Sequence, residues 1–169
     1  LWNSSFHVIL PINSPSGVDH EWQNMRWQFI TSLMMRDKAE IDLWPSQIEG
    51  AYRAVNDNDS IVVSLPTSAG KTRVAELAIL RCLSIGKRVV FITPLRALSA
   101  QTEVSLRKTF SPLGKKVSSL YGSIGISNLE QDVMRTSDIV VGTPEKLDFA
   151  LRNDSSLLDD VGLIALDEG

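Results

Sequence analysis

The spacing of apolar residues along this 169-residue chain changes at about residue 60. Before that point they recur three and four apart. Trp22, Met25, Phe29 and Leu33 make one such row and predict a helix over 18–37. Ile48, Ala51, Tyr52 and Val55 make another, predicting a helix within 42–56 that starts near Pro45. The Pro/Ser/Gly-rich stretch 11–17 reads as a loop and "NDND" at 56–59 as a turn. After residue 60, short apolar runs alternate with longer amphipathic ones. The runs 60–65, 88–93, 116–121, 138–143 and 162–167 predict strands. The stretches 71–85 (stopped by Gly86), 94–110, 127–135 and 144–152 predict helices, and 151–160 reads as a loop.

Strands that alternate with helices imply an α/β domain, a mostly parallel sheet with helices on both faces. Residues 41–169 are assigned to it, and 1–40 to a partly helical N-terminal extension. In such sheets ligands bind beyond the carboxyl ends of the strands. That rule directs attention to the residues just after each apolar run.

Composition narrows the classes. Apolar residues make up 43%, enough for a real core and too many for a disordered chain. The net charge of −3 and pI of about 5.4 argue against a domain that clamps duplex DNA mainly by charge. They leave room for contacts to nucleic acid through backbone amides and helix ends. One cysteine, Cys82, excludes an intrachain disulfide, and its apolar helical setting predicts a small buried side chain. No run approaches the ~20 apolar residues of a membrane helix, so no membrane partner is expected. Residues 1–10 do not read as a signal peptide. His7 and His20 stand apart with no Cys/His cluster, so no metal beyond one bound with nucleotide is expected. Of Trp2, Trp22, Trp27 and Trp44, three are expected to pack in cores or between helices, with Trp44 the candidate for a nucleotide pocket.

Chemistry concentrates in "PTSAGKT", residues 66–72, between a predicted strand and a predicted helix. Leu65 stands where the first glycine of a G-x-x-x-x-G-K-[ST] loop would be, so the generic match is incomplete. The working parts remain. Gly70 permits a conformation closed to other residues, and the small Ser68 and Ala69 let main chain approach a ligand. Free N–H groups at the helix start favour an anion. Lys71 can reach β- and γ-phosphates, and the Thr72 hydroxyl suits Mg²⁺. An ordinary strand-to-helix turn with a surface lysine would use similar residues without the chemistry. About 95 residues on, Asp167 and Glu168 follow the last apolar run. Asp167 suits Mg²⁺, and Glu168 suits orientation and deprotonation of an attacking water. A solvated acidic turn is the plainer alternative. Thr93–Pro94 and Thr143–Pro144 repeat one device, a strand ending in Thr and a helix opened by Pro. Helix capping accounts for either alone. As a pair at the sheet end, with Arg96 and Lys146 adding charge, they suit the phosphates of a nucleic-acid strand.

"PTSAGKT", "TPLRALSAQ", "GTPEKLD" and "LDEG" occur in the order and spacing of the first RecA-like domain of superfamily 2 helicases. The form resembles the DExH helicases of the Ski2-like group, where the phosphate loop commonly opens without glycine. The resemblance runs from about Trp44 to Gly169. It implies a RecA-like P-loop fold, ATP and Mg²⁺ as cofactors, single-stranded DNA or RNA as partner, and an intracellular place of action. It further implies that Pro66, Thr67, Ser68, Ala69, Gly70, Lys71 and Thr72 hold nucleotide, and that Thr72 and Asp167 hold the metal. By the same resemblance Lys71, Asp167 and Glu168 serve catalysis. "LWPSQIEGA" (43–51) is similar to the family's adenine-reading element, implying that Gln47 bonds the adenine edge. "LYGSIG" (120–125) is similar to a glycine motif on the nucleic-acid backbone, adding Gly122 to Pro94, Arg96, Thr143 and Pro144 along the strand. The chain starts at Leu1 and stops just after the acidic pair, so it reads as a piece of a longer protein. The fourth residue of the DExH box falls past Gly169, and so does the second RecA-like domain with its arginine finger. Alone, this piece is expected to bind ATP weakly and hydrolyse it poorly. Rival readings are a duplex DNA translocase of a restriction or defence system, an ATP-gated scaffold without catalysis, and a small-molecule kinase.

Overall fold

The computed structural model describes residues 4–40, 42–56, 60–66, 70–120 and 128–167, and divides into two compact units, 1–86 and 87–169. The first unit is helical among its described residues. It holds α1 (Ser5–Ile9), α2 (Trp22–Met34), α3 (Pro45–Asn56) and α4 (Lys71–Ser84). The row predicted for α2 is its inner face: Trp22, Met25, Phe29 and Leu33 are all buried, and α2 is shorter than 18–37 at both ends. The Trp22 indole N–H donates to the Pro11 carbonyl at 2.8 Å, so the one polar atom of that buried ring has a partner. Trp27 and Trp44 are exposed, which corrects the packing role expected for Trp27; Trp2 lies outside the described residues. Cys82 is buried in α4 as expected, and Gly86 ends that helix with φ +72°.

Helix α1, not anticipated from the pattern, is five residues long and takes its N-terminal cap from elsewhere. Asp42 accepts from the Ser5 N–H at 2.7 Å and from the Ser5 hydroxyl, and those bonds hold its carboxyl below the usual range. His7 on α1 accepts at Nδ1 from the Arg26 guanidinium at 3.1 Å. Desolvation first, then the Arg26 charge, lower the His7 pKa below its ordinary 6.5. A group with a depressed folded pKa binds more protons when unfolded, so its contribution is present above about pH 6.5 and lost as pH falls below it. Urea midpoints are therefore expected to fall between pH 7.5 and 5.5, above the carboxylate range. His7→Gln, which keeps an acceptor without the titration, is expected to flatten that slope.

The stretch 60–65 is not a strand. Residues 60–66 lack regular structure, and Val62 is 98% exposed. Burial still alternates between half-buried and exposed from 61 to 66, so the period-two pattern is real. A strand needs a hydrogen-bonded neighbour as well as a pattern. The first unit, helical elsewhere, supplies none among its described residues.

In the second unit four parallel strands lie in the order β2–β3–β1–β4: β1 (Arg88–Ile92), β2 (Val117–Ser119), β3 (Ile139–Gly142) and β4 (Val161–Leu166). The helices are α5 (Arg96–Phe110), α6 (Asn128–Thr136) and α7 (Pro144–Asn153). The stretch read as a loop after α7 holds a 3₁₀ turn, Ser155–Leu158. Right-handed crossovers fix the layers. The β1-to-β2 connection runs one way along the sheet, and the next two run back. Helix α5 therefore lies on one face, and α6 and α7 lie on the other. The α6/α7 face is a closed cluster of Val90, Val140, Leu120, Met134, Leu147, Ala150 and Leu157. The resulting α/β architecture, a parallel sheet with helices on both faces, is the one expected.

Arg88 pins the base of this sheet. Its guanidinium donates to Asp160 (2.7 Å), to the Leu157 carbonyl (2.8 Å) and to the Met134 carbonyl, while only 14% exposed. Arg88→Met keeps most of the volume but takes a charged donor from both carbonyls. It is expected to cost about 2–3 kcal/mol, or about 5–10 °C in Tm by thermal melting. Asp160→Asn is expected to cost less than about 1 kcal/mol, because Asp160 is itself exposed.

Candidate functional site

In the first unit the site is built around the start of α4. Gly70 is its N-cap, left-handed at φ +79°, ψ +39°, a conformation that glycine adopts at no steric cost. Gly70 offers no side chain to cap the helix and the first turn has no acidic residue, so among the described residues nothing opposes the positive end of the dipole. Lys71 and Thr72 are the first two helical residues. Their side chains have no hydrogen-bond or ion-pair partner among the described residues. Pro66 is exposed, and Thr67, Ser68 and Ala69 lie outside the described residues.

Gln47 is joined to this turn. It is buried, at the third position of α3, and its Oε1 accepts from the Trp44 N–H at 2.8 Å, closing that helix start as half of a capping box. Its Nε2 donates to the Gly70 carbonyl at 3.0 Å. A Cβ built on Gly70 would stand 1.9 Å from that same Nε2. The glycine is thus required twice, by its φ and by the amide against it. Trp44, beside Gln47 in sequence, is 69% exposed.

In the second unit the sheet register brings three of the sequence signals together. Ile92 is level with Gly142 on one side and with Leu166 on the other. The Thr93 N–H donates to the Gly142 carbonyl (3.0 Å) and the Asp167 N–H to the Ile92 carbonyl (2.9 Å). Thr93–Pro94, Thr143–Pro144 and Asp167 therefore stand at the carboxyl ends of three adjacent strands. The Asp167 carboxylate has no partner among the described residues. Glu168 and Gly122 lie outside them.

The two Thr-Pro motifs are not equivalent. Thr143 holds the N-cap position of α7 with an extended backbone and Pro144 is the first helical residue, as expected, but the Thr143 side chain makes no capping bond to the helix. After Thr93 the chain bends and α5 begins only at Arg96, with Leu95 as N-cap. The Thr93 hydroxyl is taken by the Ser99 hydroxyl at 2.6 Å, both buried, so it does not cap a helix. Pro94, Leu95 and Arg96 are exposed, and so is Pro144; Thr143 is buried. Lys146 is also buried, which corrects its expected part as surface charge. Glu145 was not singled out by sequence. Its carboxyl is held below the ordinary range by its own backbone N–H, then by the Thr143 hydroxyl, with the Arg96 charge adding to them. An acid in the first turn after Thr-Pro is the signal that would have marked it.

A family model described as DEAD/DEAH box helicase matches residues 45–169. The chain belongs to that family. Among curated proteins this helicase domain is 35% identical over 144 residues to the Hachiman protein HamB of Bacillus cereus, covering 84% of the chain and 13% of that protein. It is 33% identical over 136 residues to the ATP-dependent DNA helicase Hel308 of Pyrococcus abyssi, covering 80% of the chain and 18% of Hel308. The chain thus spans less than a fifth of either relative. Among solved structures, the DUF1998 helicase MrfA superposes with a TM-score of 0.69 at 24% identity, over 84% of this chain and 23% of MrfA. The UvsW helicase of bacteriophage T4 superposes with 0.61 at 20% identity, over 85% of this chain and 50% of that one. These likenesses show a shared fold, and the domain is RecA-like. Within the described residues no helix is long and apolar enough to cross a membrane.

Proposed function

We propose that this domain is the ATP-binding part of a nucleic-acid motor, the first of two RecA-like domains that close on a single strand as ATP is hydrolysed. The observation that carries the reading is the start of α4: a left-handed Gly70 with no side chain of its own to cap the helix, a first turn free of acids, and Lys71 and Thr72 at its first two positions. That turn fits the phosphates of a nucleotide. Its N–H groups and Lys71 would meet the negative charge of the phosphates. Residues 66–69 complete the loop in this reading.

Mg²⁺ would neutralise charge on the β- and γ-phosphates, with the Thr72 hydroxyl and the Asp167 carboxylate as its protein ligands. Glu168 orients the attacking water and takes its proton. Gln47 reads adenine with the amide hydrogen and lone pair that its two main-chain bonds leave over. Pro94, Arg96, Gly122, Thr143 and Pro144 follow the backbone of the strand, which this acidic domain meets at a few points rather than by bulk charge. Residues 1–40 are an accessory extension of the RecA-like domain 41–169, and the protein acts inside the cell. Without a partner RecA-like domain and its arginine finger, 1–169 alone hydrolyses ATP at a negligible rate.

The test is ATPase activity of the full-length protein with no polymer, with single-stranded DNA and with single-stranded RNA, beside Glu168→Gln. Stimulation by one polymer, abolished in the variant, is the expected result. ATP hydrolysis indifferent to both polymers would overturn the single-strand motor, and stimulation by duplex alone would replace it with a duplex translocase.

A further inference from the structure

The first turn of α4 carries one more charge, at Arg73. A cation there opposes the helix dipole, so it needs compensation from elsewhere. The Arg73 guanidinium donates to Glu76 one turn on, and to Glu40 at 2.5 Å. Arg73 is 11% exposed and Glu76 is 3% exposed. Glu40 lies beyond the end of α2 and is fixed there twice: its carboxylate accepts from Arg36 at 3.0 Å, and its N–H donates to the Leu33 carbonyl at 3.1 Å. Arg36, Glu40, Arg73 and Glu76 therefore form one line of alternating charge, running from the end of α2 to the phosphate-binding turn. The Arg73 N–H donates to the Gly70 carbonyl at 3.0 Å, the oxygen that also accepts from Gln47. Arg73 thus holds the turn by its backbone and the preceding segment by its side chain.

We infer that Glu40 and Arg73 are positioning residues for nucleotide binding: the segment before α3 fixes the first turn of α4 through this ion line. The inference rests on the ATP reading above. An exposed ion pair contributes little to stability. Arg73 has given up most of its water, however, and has no other carboxylate on the α2 side among its bonded partners. Loss of Glu40 frees the guanidinium on that side, and the turn must then be ordered by the nucleotide itself, at a cost in affinity.

A plain charge effect predicts something different. Glu40 would repel phosphate and Arg73 would attract it, so removing the two would move affinity in opposite directions. The experiment measures KM for ATP and kcat of the full-length protein as wild type, Glu40→Gln, Arg73→Gln, the double variant and Lys71→Ala, with melting curves for each. Positioning predicts that both single variants raise KM about three- to tenfold with kcat within about twofold, and that the double variant is no worse than Arg73→Gln. A lower KM for Glu40→Gln overturns the inference in favour of charge. An unchanged KM with a lower Tm overturns it in favour of packing alone. Should Arg73→Gln fail to fold, Glu40→Gln decides by itself, since Glu40 is 41% exposed. An active wild type, a dead Lys71→Ala and an unchanged Glu40→Gln would sink this inference and leave the ATP reading standing. A wild type that does not hydrolyse ATP would sink both.

Discussion

Lys71→Ala in the full-length protein is expected to lower polymer-stimulated ATPase about 10²- to 10³-fold while leaving the fold intact. The argument is local. Lys71 is the first residue of α4, its side chain is half-buried, and no described residue pairs with it. Alanine is the best helix former, so the helix loses nothing by the change. What is lost is a fixed positive charge where negative charge accumulates as the γ-phosphate transfers, in a place where donors are worth more than in water. Steady-state ATPase with a melting curve checks both halves. Activity within about threefold of wild type would show that the turn does not serve phosphoryl transfer.

Gly70→Ala is expected to damage binding and stability together, unlike Lys71→Ala. An alanine at φ +79° is strained by about 1–2 kcal/mol before any contact is considered. Its Cβ would then fall 1.9 Å from Gln47 Nε2 and 3.0 Å from Gln47 Cδ. Gln47 cannot swing aside freely, because it is buried and both ends of its amide are bonded to main chain. Moving it breaks two hydrogen bonds, each contributing about 0.5–1.5 kcal/mol. The sum is a fall in Tm of about 5–10 °C, read by thermal melting, and at least a tenfold loss of ATP affinity, read by nucleotide titration. Adding Gln47→Ala removes the clash but not the strain, so it should restore part of the stability. Full recovery would mean that the left-handed backbone costs nothing there.

Much of the fold could be read from spacing. Strands β1 to β4 and helices α3, α4, α6 and α7 lie within two residues of their predicted bounds. Their apolar periods match the faces they bury, as in Val90 and Val140 on one side of the sheet. Motif order was legible too, because a phosphate-binding turn and its partners depend on residue type at short range. The failures have a common cause. Stretch 60–65 has the right alternation, but pairing depends on a neighbour that alternation does not reveal. A helix cap at Thr93 is open to the local motif, but Ser99, six residues on, takes that hydroxyl. Helix α1 is closed by Asp42, far along the chain, so its own residues carry little signal. The line from Glu40 to Arg73 also joins distant positions, and no short-range rule would find it. Gln47 combined both cases: its place in the first turn of α3 was legible, its bond to Gly70 was not.

The strand order β2–β3–β1–β4 bears on how the chain is made as well as on where its motifs stand. Central strand β1 is synthesised first, and both of its neighbours come later. Leu166, the partner of Ile92, emerges about 70 residues behind it, some 4–15 s at ordinary rates of translation. Strand β3 follows sooner, with Gly142 about 50 residues behind Ile92, so Val89, Val90 and Phe91, all buried at the end, first gain one neighbour and keep an open edge until β4 arrives. Contacts this distant in sequence make for slow closure, so the nascent second unit is a natural client for a chaperone until its last strand is out.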